Sequence, residues 1–589
     1  MKLNQHIPEQ HKLILLVSAI LFSITILFFP VHLTLKYQPI QSVCIFDNLL
    51  LFGILYYTWL ALILLALFSP KKSEDRIDRE KFIFTCLFSI VFWGFWIIIT
   101  RGTFFAVDGA IQADHIKYVL DVGHTIQNNP NFGYFDFPGL HFLFSEVSII
   151  LGVKILDIIT LLLMLRIIVL STLLYIFYSK ILDAYLAPLA TLLTIQGNWI
   201  LARFNFLHPG SFALIFLAIF LVLLARHEHT LFERSDIIVG VITITATTIT
   251  HFVTSTSFFF ILLGLYLLQI FSKVSILRRD RWIFILSLLI PLSWGLNLAI
   301  GTFSSLANVF IRSFEEMKFL EYLSIVARPN IGIEVPLWAN ITRLFWLILV
   351  FICGTLLGLV NIVKIKKLSW LQRREAGALF GIILLTAIAI LPLGGVQYYR
   401  FLMYGSFFTT PILLRFLASL GKGKQEIFNK IDVVALLIML FFALSLPTFL
   451  AYNDRINIDT YYPYELSVGG FLSSVYGKGD GVTIYVDGST APIVGYYMPS
   501  SHFRTEVAWS YVKSKEEVFQ SIDNWLLNFL ATKNDIGQHD IMLLFSKRLP
   551  IPYERDLGIN STDPYWNQLK YKLQYVNRVY DNQHVQIYT

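Results

Sequence analysis

The sequence predicts an all-α polytopic membrane domain followed by a small α/β domain, and three observations predict it. The 589 residues are 56% hydrophobic and 15% aromatic, with a mean hydropathy of +0.65, a composition that excludes an ordinary soluble protein. Apolar runs of roughly 17 to 25 residues, the length that crosses a hydrocarbon core of about 30 Å, recur as far as residue 451. Beyond residue 453 the composition becomes that of a water-soluble domain, which divides the chain into 1–452 and 453–589.

The polar start, residues 1–12, leads into an apolar run, residues 13–29, with no small-residue cleavage site after it, so a retained first span is expected. About 13 spans are predicted, near 13–34, 46–69, 82–100, 156–178, 184–201, 210–225, 236–252, 255–272, 282–302, 338–362, 376–394, 400–419 and 431–451. Residues 137–153 are apolar enough for a fourteenth. Without it, the alternate loops collect 22 Lys and Arg residues on one face, from Lys2 to Lys430, and nine on the other. Counting it as a crossing would put the basic loop of Lys273, Arg278, Arg279 and Arg281 on the wrong side, so an interfacial helix is expected. The N-terminus is then cytoplasmic, and the loop 101–155 and the C-terminal domain are extracytoplasmic, in a plasma-membrane protein. The net charge of +7 reads as topology, in contact with membrane lipids, and not as a nucleic-acid surface. Cys44, Cys86 and Cys353 build neither a disulfide framework nor a CxxC metal site.

In the C-terminal domain, residues 482–486, 540–546 and 585–588 read as strands, and 516–530 reads as an amphipathic helix. Strand and helix signals alternate, as in an α/β domain.

Chemistry concentrates in the loop 101–155. It carries Asp108, Asp114, Asp121, Asp136 and Glu146 with His115, His124 and His141, and charge of this kind belongs at a membrane surface or in an aqueous cavity. Asp108 precedes a helical stretch from Ala110 to Val122, where it suits either an acid/base role or an N-cap. Asp114 lies about a turn and a half further on, followed by His115, and the two could hold a divalent cation through oxygen and nitrogen ligands. The predicted topology brings three other pieces to the same face: HPGSF with His208, HFVTS with His251, and GVQYYR with Tyr399 and Arg400. The Arg400 guanidinium, at the headgroup boundary, suits either a lipid phosphate or an interfacial anchor in the aromatic belt. His141, His208 and His251 are candidates for substrate contact or for local hydrogen bonding. Arg166, mid-span in LMLRIIV, requires a buried polar partner.

The order of these pieces resembles the GT-C superfamily of membrane glycosyltransferases, on Asp108 after the third span, Gly123, the FPGLH run at 137–141, HPGSF, HFVTS, YYRF at 398–401 and the closing VYDNQHVQIY. Two spans precede the catalytic loop's own span, and the acidic pair is not a tight DxD. The resemblance implies transfer of a sugar from a polyprenyl-phosphate donor to a glycan, lipid or protein acceptor on the extracytoplasmic face. It further implies that Asp108 is the base, with Asp114 and His115 assisting, and that Arg400 meets the donor phosphate. Two rival readings are a transporter and a catalytically silent scaffold of a cell-surface assembly complex.

Overall fold

The computed structural model describes chiefly residues 106–124, 136–183, 186–196, 207–226, 234–273, 281–304, 352–393, 398–420, 463–477, 482–486, 491–498, 502–505, 515–534, 541–546, 563–573, 578–581 and 585–588. The spans expected at 13–34 and 431–451, and the proposed domain boundary near 452, lie outside the described residues. Most of those at 46–69, 82–100 and 338–362 do as well.

Helix α1 (Ala106–Val122) starts four residues earlier than the sequence spacing suggests, so Asp108 sits in its first turn and not ahead of it as a cap. A carboxylate there meets the positive end of the helix. Helix α2 (Gly139–Leu151) follows Pro138 and ends at Gly152, whose φ of 62° is the left-handed turn that closes a helix. Its 13 residues span about 20 Å, short of a hydrocarbon core. Leu140, His141, Phe144, Ser145 and Ser148 face the protein, whereas Phe142, Leu143, Glu146, Ile149, Ile150 and Leu151 are exposed.

Next come α3 (Ile155–Ile181), α4 (Leu186–Gln196), α5 (Pro209–Arg226), α6 (Arg234–Thr250), α7 (Phe252–Ser272), α8 (Arg281–Asn297), α9 (Gly354–Val363), α10 (Trp370–Leu393) and α11 (Tyr398–Leu420). Among the described residues, three helical segments are long and apolar enough to cross a membrane: Asp157–Ile181, Pro209–Arg226 and Phe252–Ser272. The chain is a largely helical membrane protein. Helix α3 packs on α5, α5 on α6, and α7 on α10. The last crossing is so close that a Cβ at Gly264 would overlap the Gly377 carbonyl and the Gly381 backbone, so only glycine fits there. One end of the bundle is tied by charge: Arg226 reaches Asp236 at 2.9 Å, Arg415 pairs with Glu375, and Arg374 lies over the Trp370 ring.

The polypeptide reverses between α6 and α7 at a single residue. His251 is extended (φ −160°, ψ 106°), so four of the five residues expected as the loop HFVTS belong to α7.

The remaining elements are α12 (Pro463–Tyr476), β1 (Thr483–Val486), α13 (Ala491–Tyr497), β2 (His502–Thr505), α14 (Lys515–Asn534), β3 (Ile541–Ser546), α15 (Pro564–Lys572), β4 (Arg578–Asp581) and β5 (Val585–Tyr588). The strands form one sheet in the order β2-β1-β3-β5-β4, parallel across β2, β1 and β3 and antiparallel at β5 and β4. Alternation along the strands gives it two apolar faces. Tyr485, Leu543 and Tyr588 pack with Trp525, Phe529 and Leu569 of α14 and α15, while Ile484, Met542, Leu544 and Ile587 pack with Val468 of α12 and Val494 of α13. Helix α13 also lies along α1, and its Tyr496 joins the core of the helical bundle. The sheet layers are thus docked on the helix that carries Asp108 and Asp114.

Candidate functional site

Two histidine pairs stand at the end of the bundle where α2 begins. The first joins α1 to α2. One turn of α1 presents Gln112 and His115 on adjoining positions of its buried side, and His115 meets His141 edge to face with ring centroids 5.4 Å apart. The Gln112 Oε1 lies 2.7 Å from His141 Nε2 and accepts its proton. Ser145, one turn along α2, donates to the Ile116 carbonyl at 3.0 Å and fixes the register of the two helices. Burial pulls the His141 imidazole down to about 3. The His115 imidazole is held well below its ordinary value by burial and then by His141, so the pair is neutral at physiological pH.

Asp114, next to His115, is half-buried. Burial pushes its carboxyl up to about 7, against the opposing pull of Lys117 one turn on. Lys117 itself pairs with Asp121 at 2.6 Å. Asp108 and Asp114 lie six residues apart on the continuous helix α1.

The second pair joins the starts of α5 and α7. His208 precedes Pro209, the first residue of α5, and its Nδ1 accepts the Gly210 amide at 2.9 Å. His251 is the N-cap of α7, its Nδ1 accepting the Thr254 amide at 3.2 Å. The ring centroids are 5.6 Å apart. A Cβ at Gly210 would stand 3.0 Å from His208 Cε1 and 3.2 Å from His251 Cε1, so the two rings close around a residue that must have no side chain.

Each pair is tied to the rest of the bundle. Phe137, just before α2, meets Phe252, just after His251, at 6.0 Å, and Phe144 of α2 meets Phe212 of α5 at 5.3 Å. Beneath Phe212 lies the buried Arg166, 5.1 Å from the ring centroid, with its guanidinium donating to the Ser211 hydroxyl. That hydroxyl bonds the His208 carbonyl at 2.7 Å. On the α11 side, the Tyr404 hydroxyl lies 2.8 Å from Thr254 Oγ1, which lies 2.8 Å from His251 Nδ1. Tyr404 is one turn beyond Arg400 on the same helix.

The structure therefore gathers His115, His141, His208 and His251 at one end of the bundle. Asp108 lies in the first turn of α1 and Tyr399 and Arg400 in the first turn of α11, and the side chains of these three are outside the described residues. Among the described residues no group of three or more His, Cys, Asp or Glu side chains is placed to hold a metal ion.

Sequence reasoning passed over Gln112, Thr254 and Tyr404, and counted Asp136 among the loop carboxylates without giving it a role. Gln112 stands three residues before His115, a spacing that puts both on one face. Asp136 accepts from the Thr302 hydroxyl at 2.6 Å while its carbonyl accepts from the Trp294 indole at 2.9 Å, anchoring the start of α2. A carboxylate ahead of a Phe-Pro-Gly turn was the available signal.

No protein-family model matches the sequence, and no curated protein matches it. Solved structures do. The apo crystal structure of the oligosaccharyltransferase of Archaeoglobus fulgidus aligns with a TM-score of 0.51 and 11% identity, over 86% of this chain and 74% of that one. The same enzyme in complex with zinc and sulfate aligns with a TM-score of 0.50 and 12% identity, over 79% and 68%. The chain has a GT-C fold. At these identities the likeness is one of architecture. The GT-C scaffold locates the histidine pairs and leaves their chemistry to the residues themselves.

Proposed function

We propose that the protein is a membrane glycosyltransferase that moves a sugar from a polyprenyl-phosphate donor to an extracytoplasmic glycan, lipid or protein acceptor. The observation that carries the reading is the GT-C fold with a near-neutral carboxyl, Asp114, beside buried histidines at one end of the bundle. A base that deprotonates an acceptor hydroxyl works best with its pKa near the working pH, and a carboxyl near 7 is suited to that. Asp108 is a candidate base by its place in the resemblance, and Asp114, whose carboxyl is raised by burial, is the other. Arg400, in the first turn of α11, is assigned to the donor phosphate, for which a forked donor set is well matched. Tyr399, His141, His208 and His251 line the substrate region.

Attack by the acceptor oxygen on the anomeric carbon, with the phosphate leaving from the opposite side, inverts that carbon. The chain divides at about residue 452. The C-terminal part shares the face of the loop 101–155, and its contact with α1 through α13 puts it where an acceptor can be oriented. A divalent cation would need ligands beyond the described residues. Asp108 is a candidate, and the Archaeoglobus neighbour solved with zinc and sulfate is the support for considering one.

The test is consumption of radiolabelled polyprenyl-phosphate sugars by the purified protein, alongside Asp108→Asn and Arg400→Ala. Turnover by the wild type that falls at least a hundredfold in Arg400→Ala supports the reading. A well-folded wild type that consumes no donor from a broad set, with acceptor glycans, lipids and peptides supplied, contradicts it.

A further inference from the structure

Helix α9 has one side against protein and the other open. Its inner side is made of glycine: a Cβ at Gly354 would stand 2.6 Å from Thr409 Cβ of α11, and one at Gly358 would overlap Leu379 of α10. The outer side carries Leu356, Leu359, Val360 and Val363, whose spacing puts them on one face, and Val363 at its end is 85% exposed. In a chain with a membrane fold, an exposed apolar stripe of this kind meets acyl chains. Immediately beyond Val363 the polypeptide passes through one 3-10 turn, Ile365–Lys367, into α10, and Lys364, Lys366 and Lys367 are exposed there while Ile365 is buried. Arg373, in the first turn of α10, donates Nε–H to the Ile365 carbonyl and Nη2–H to the Lys366 carbonyl, each at 3.1 Å. Its guanidinium thus fixes the shape of the turn and adds a fourth positive charge. The first acid after Lys364 in the sequence is Glu375, which is buried and paired with Arg415. Among the described residues no carboxylate pairs with the three lysines.

We propose that the turn between α9 and α10 binds the headgroup of an anionic phospholipid, with Lys364, Lys366 and Lys367 meeting its phosphate and an acyl chain lying along the α9 stripe. Arg373 is the positioning residue that holds the lysine backbone. Charge complementarity selects an anion, since ammonium groups without carboxylate partners are matched by a phosphate. Continuity selects a lipid over a soluble anion, because Lys364 directly follows the most exposed residue of the apolar stripe. The turn also lies at the end of the bundle away from the histidine pairs. Arg374 donates to the carbonyl of Leu224, near the end of α5, whereas His208 stands before the start of α5. Leu265 of α7 meets Gly377 of α10 and Phe260 meets Gly381, so the two helices run antiparallel and the end of α7, not its start at His251, is level with the start of α10. The inference is therefore independent of the glycosyltransferase reading and of the donor lipid assigned there.

The test places the full-length protein in phosphatidylcholine vesicles and reads, by electron spin resonance, how strongly spin-labelled phosphatidylglycerol is held at the protein surface relative to spin-labelled phosphatidylcholine. The wild type should prefer phosphatidylglycerol. A triple variant, Lys364→Gln with Lys366→Gln and Lys367→Gln, should weaken the strongest class of retained phosphatidylglycerol by about tenfold or more at an unchanged thermal midpoint. A second triple variant, Lys273→Gln with Arg278→Gln and Arg279→Gln, removes the same charge from another basic loop and should keep the preference. Arg373→Lys keeps the charge but cannot span both carbonyls, and should weaken retention a few-fold. A wild type with no preference, or an equal fall in the two triple variants, would overturn the site, the latter by showing diffuse surface charge only. A spin-labelled polyprenyl monophosphate that loses more than phosphatidylglycerol does in the first triple variant would overturn the phospholipid as occupant. Retention unchanged in Arg373→Lys would overturn the positioning role. Loss of sugar transfer bears on none of these readings.

Discussion

The two histidine pairs are nearly alike in ring geometry, 5.4 Å and 5.6 Å between centroids, and differ in what holds them. His115 and His141 are gripped by side chains of two helices, with Gln112 accepting from His141 and a titratable carboxyl, Asp114, beside them. His208 and His251 are gripped by the backbone amides of the helices they begin. A side-chain partner can move or exchange protons, whereas a backbone amide only donates. The first pair thus adjoins a titratable carboxyl, and the second is locked to the starts of two helices.

The sharpest way to break the comparison is at Gly210. Gly210→Ala forces a Cβ to within about 3 Å of both rings of the second pair, and overpacking of this kind costs roughly 1 to 3 kcal/mol. Thermal unfolding should show that loss, while the His115 and His141 resonances stay in place.

Asp114→Asn tests the other side through its pH dependence. The folded carboxyl titrates near 7 and an unfolded one near 4, so the folded state binds the extra proton between those values. Stability then falls as pH rises from about 4 to 7 and levels off above. The Asn variant lacks this loss, so it should be more stable than wild type at pH 8, by roughly 1 to 3 kcal/mol, and close to it at pH 5. Unfolding curves at the two pH values decide, and equal behaviour at both would mean that Asp114 is solvated.

Gln112→Ala removes the acceptor of the His141 proton and should destabilise by about 1 to 3 kcal/mol in thermal unfolding. Tyr404→Phe removes one neutral hydrogen bond to Thr254 and should cost about 0.5 to 1.5 kcal/mol by the same measurement.

The same contrast explains what could be read from the chain. The candidate histidines at 115, 141, 208 and 251 were visible because polar residues at the ends of apolar runs stand out against the composition. Their pairing was not, since His208 and His251 are 43 residues apart and meet only through the packing of α5 on α6 and α7. Helix α2 was legible as a helix from its apolar run, and it spans 13 residues from Gly139 to Leu151. The loop expected at 251–255 collapsed to one residue because a histidine N-cap starts α7 without a turn. Strand β2, HFRT, was missed because four mixed residues carry no alternation that rises above a loop, whereas β4 and β5 pair antiparallel across the run VYDNQHVQIY that the resemblance marked. Asp108 and Asp114 were weighed together, and the helix that carries both begins at Ala106, four residues earlier than the sequence spacing suggests.

The most direct test of the central claim is the rate of sugar transfer from a labelled polyprenyl-phosphate donor, measured against pH for wild type and Asp114→Asn. The account predicts a wild-type rate that rises through pH 7, as the carboxyl loses its proton, and a variant slower by about 10² to 10⁴ with that rise gone. A variant that transfers at the wild-type rate with the wild-type pH profile would contradict Asp114 as the base and return that role to Asp108.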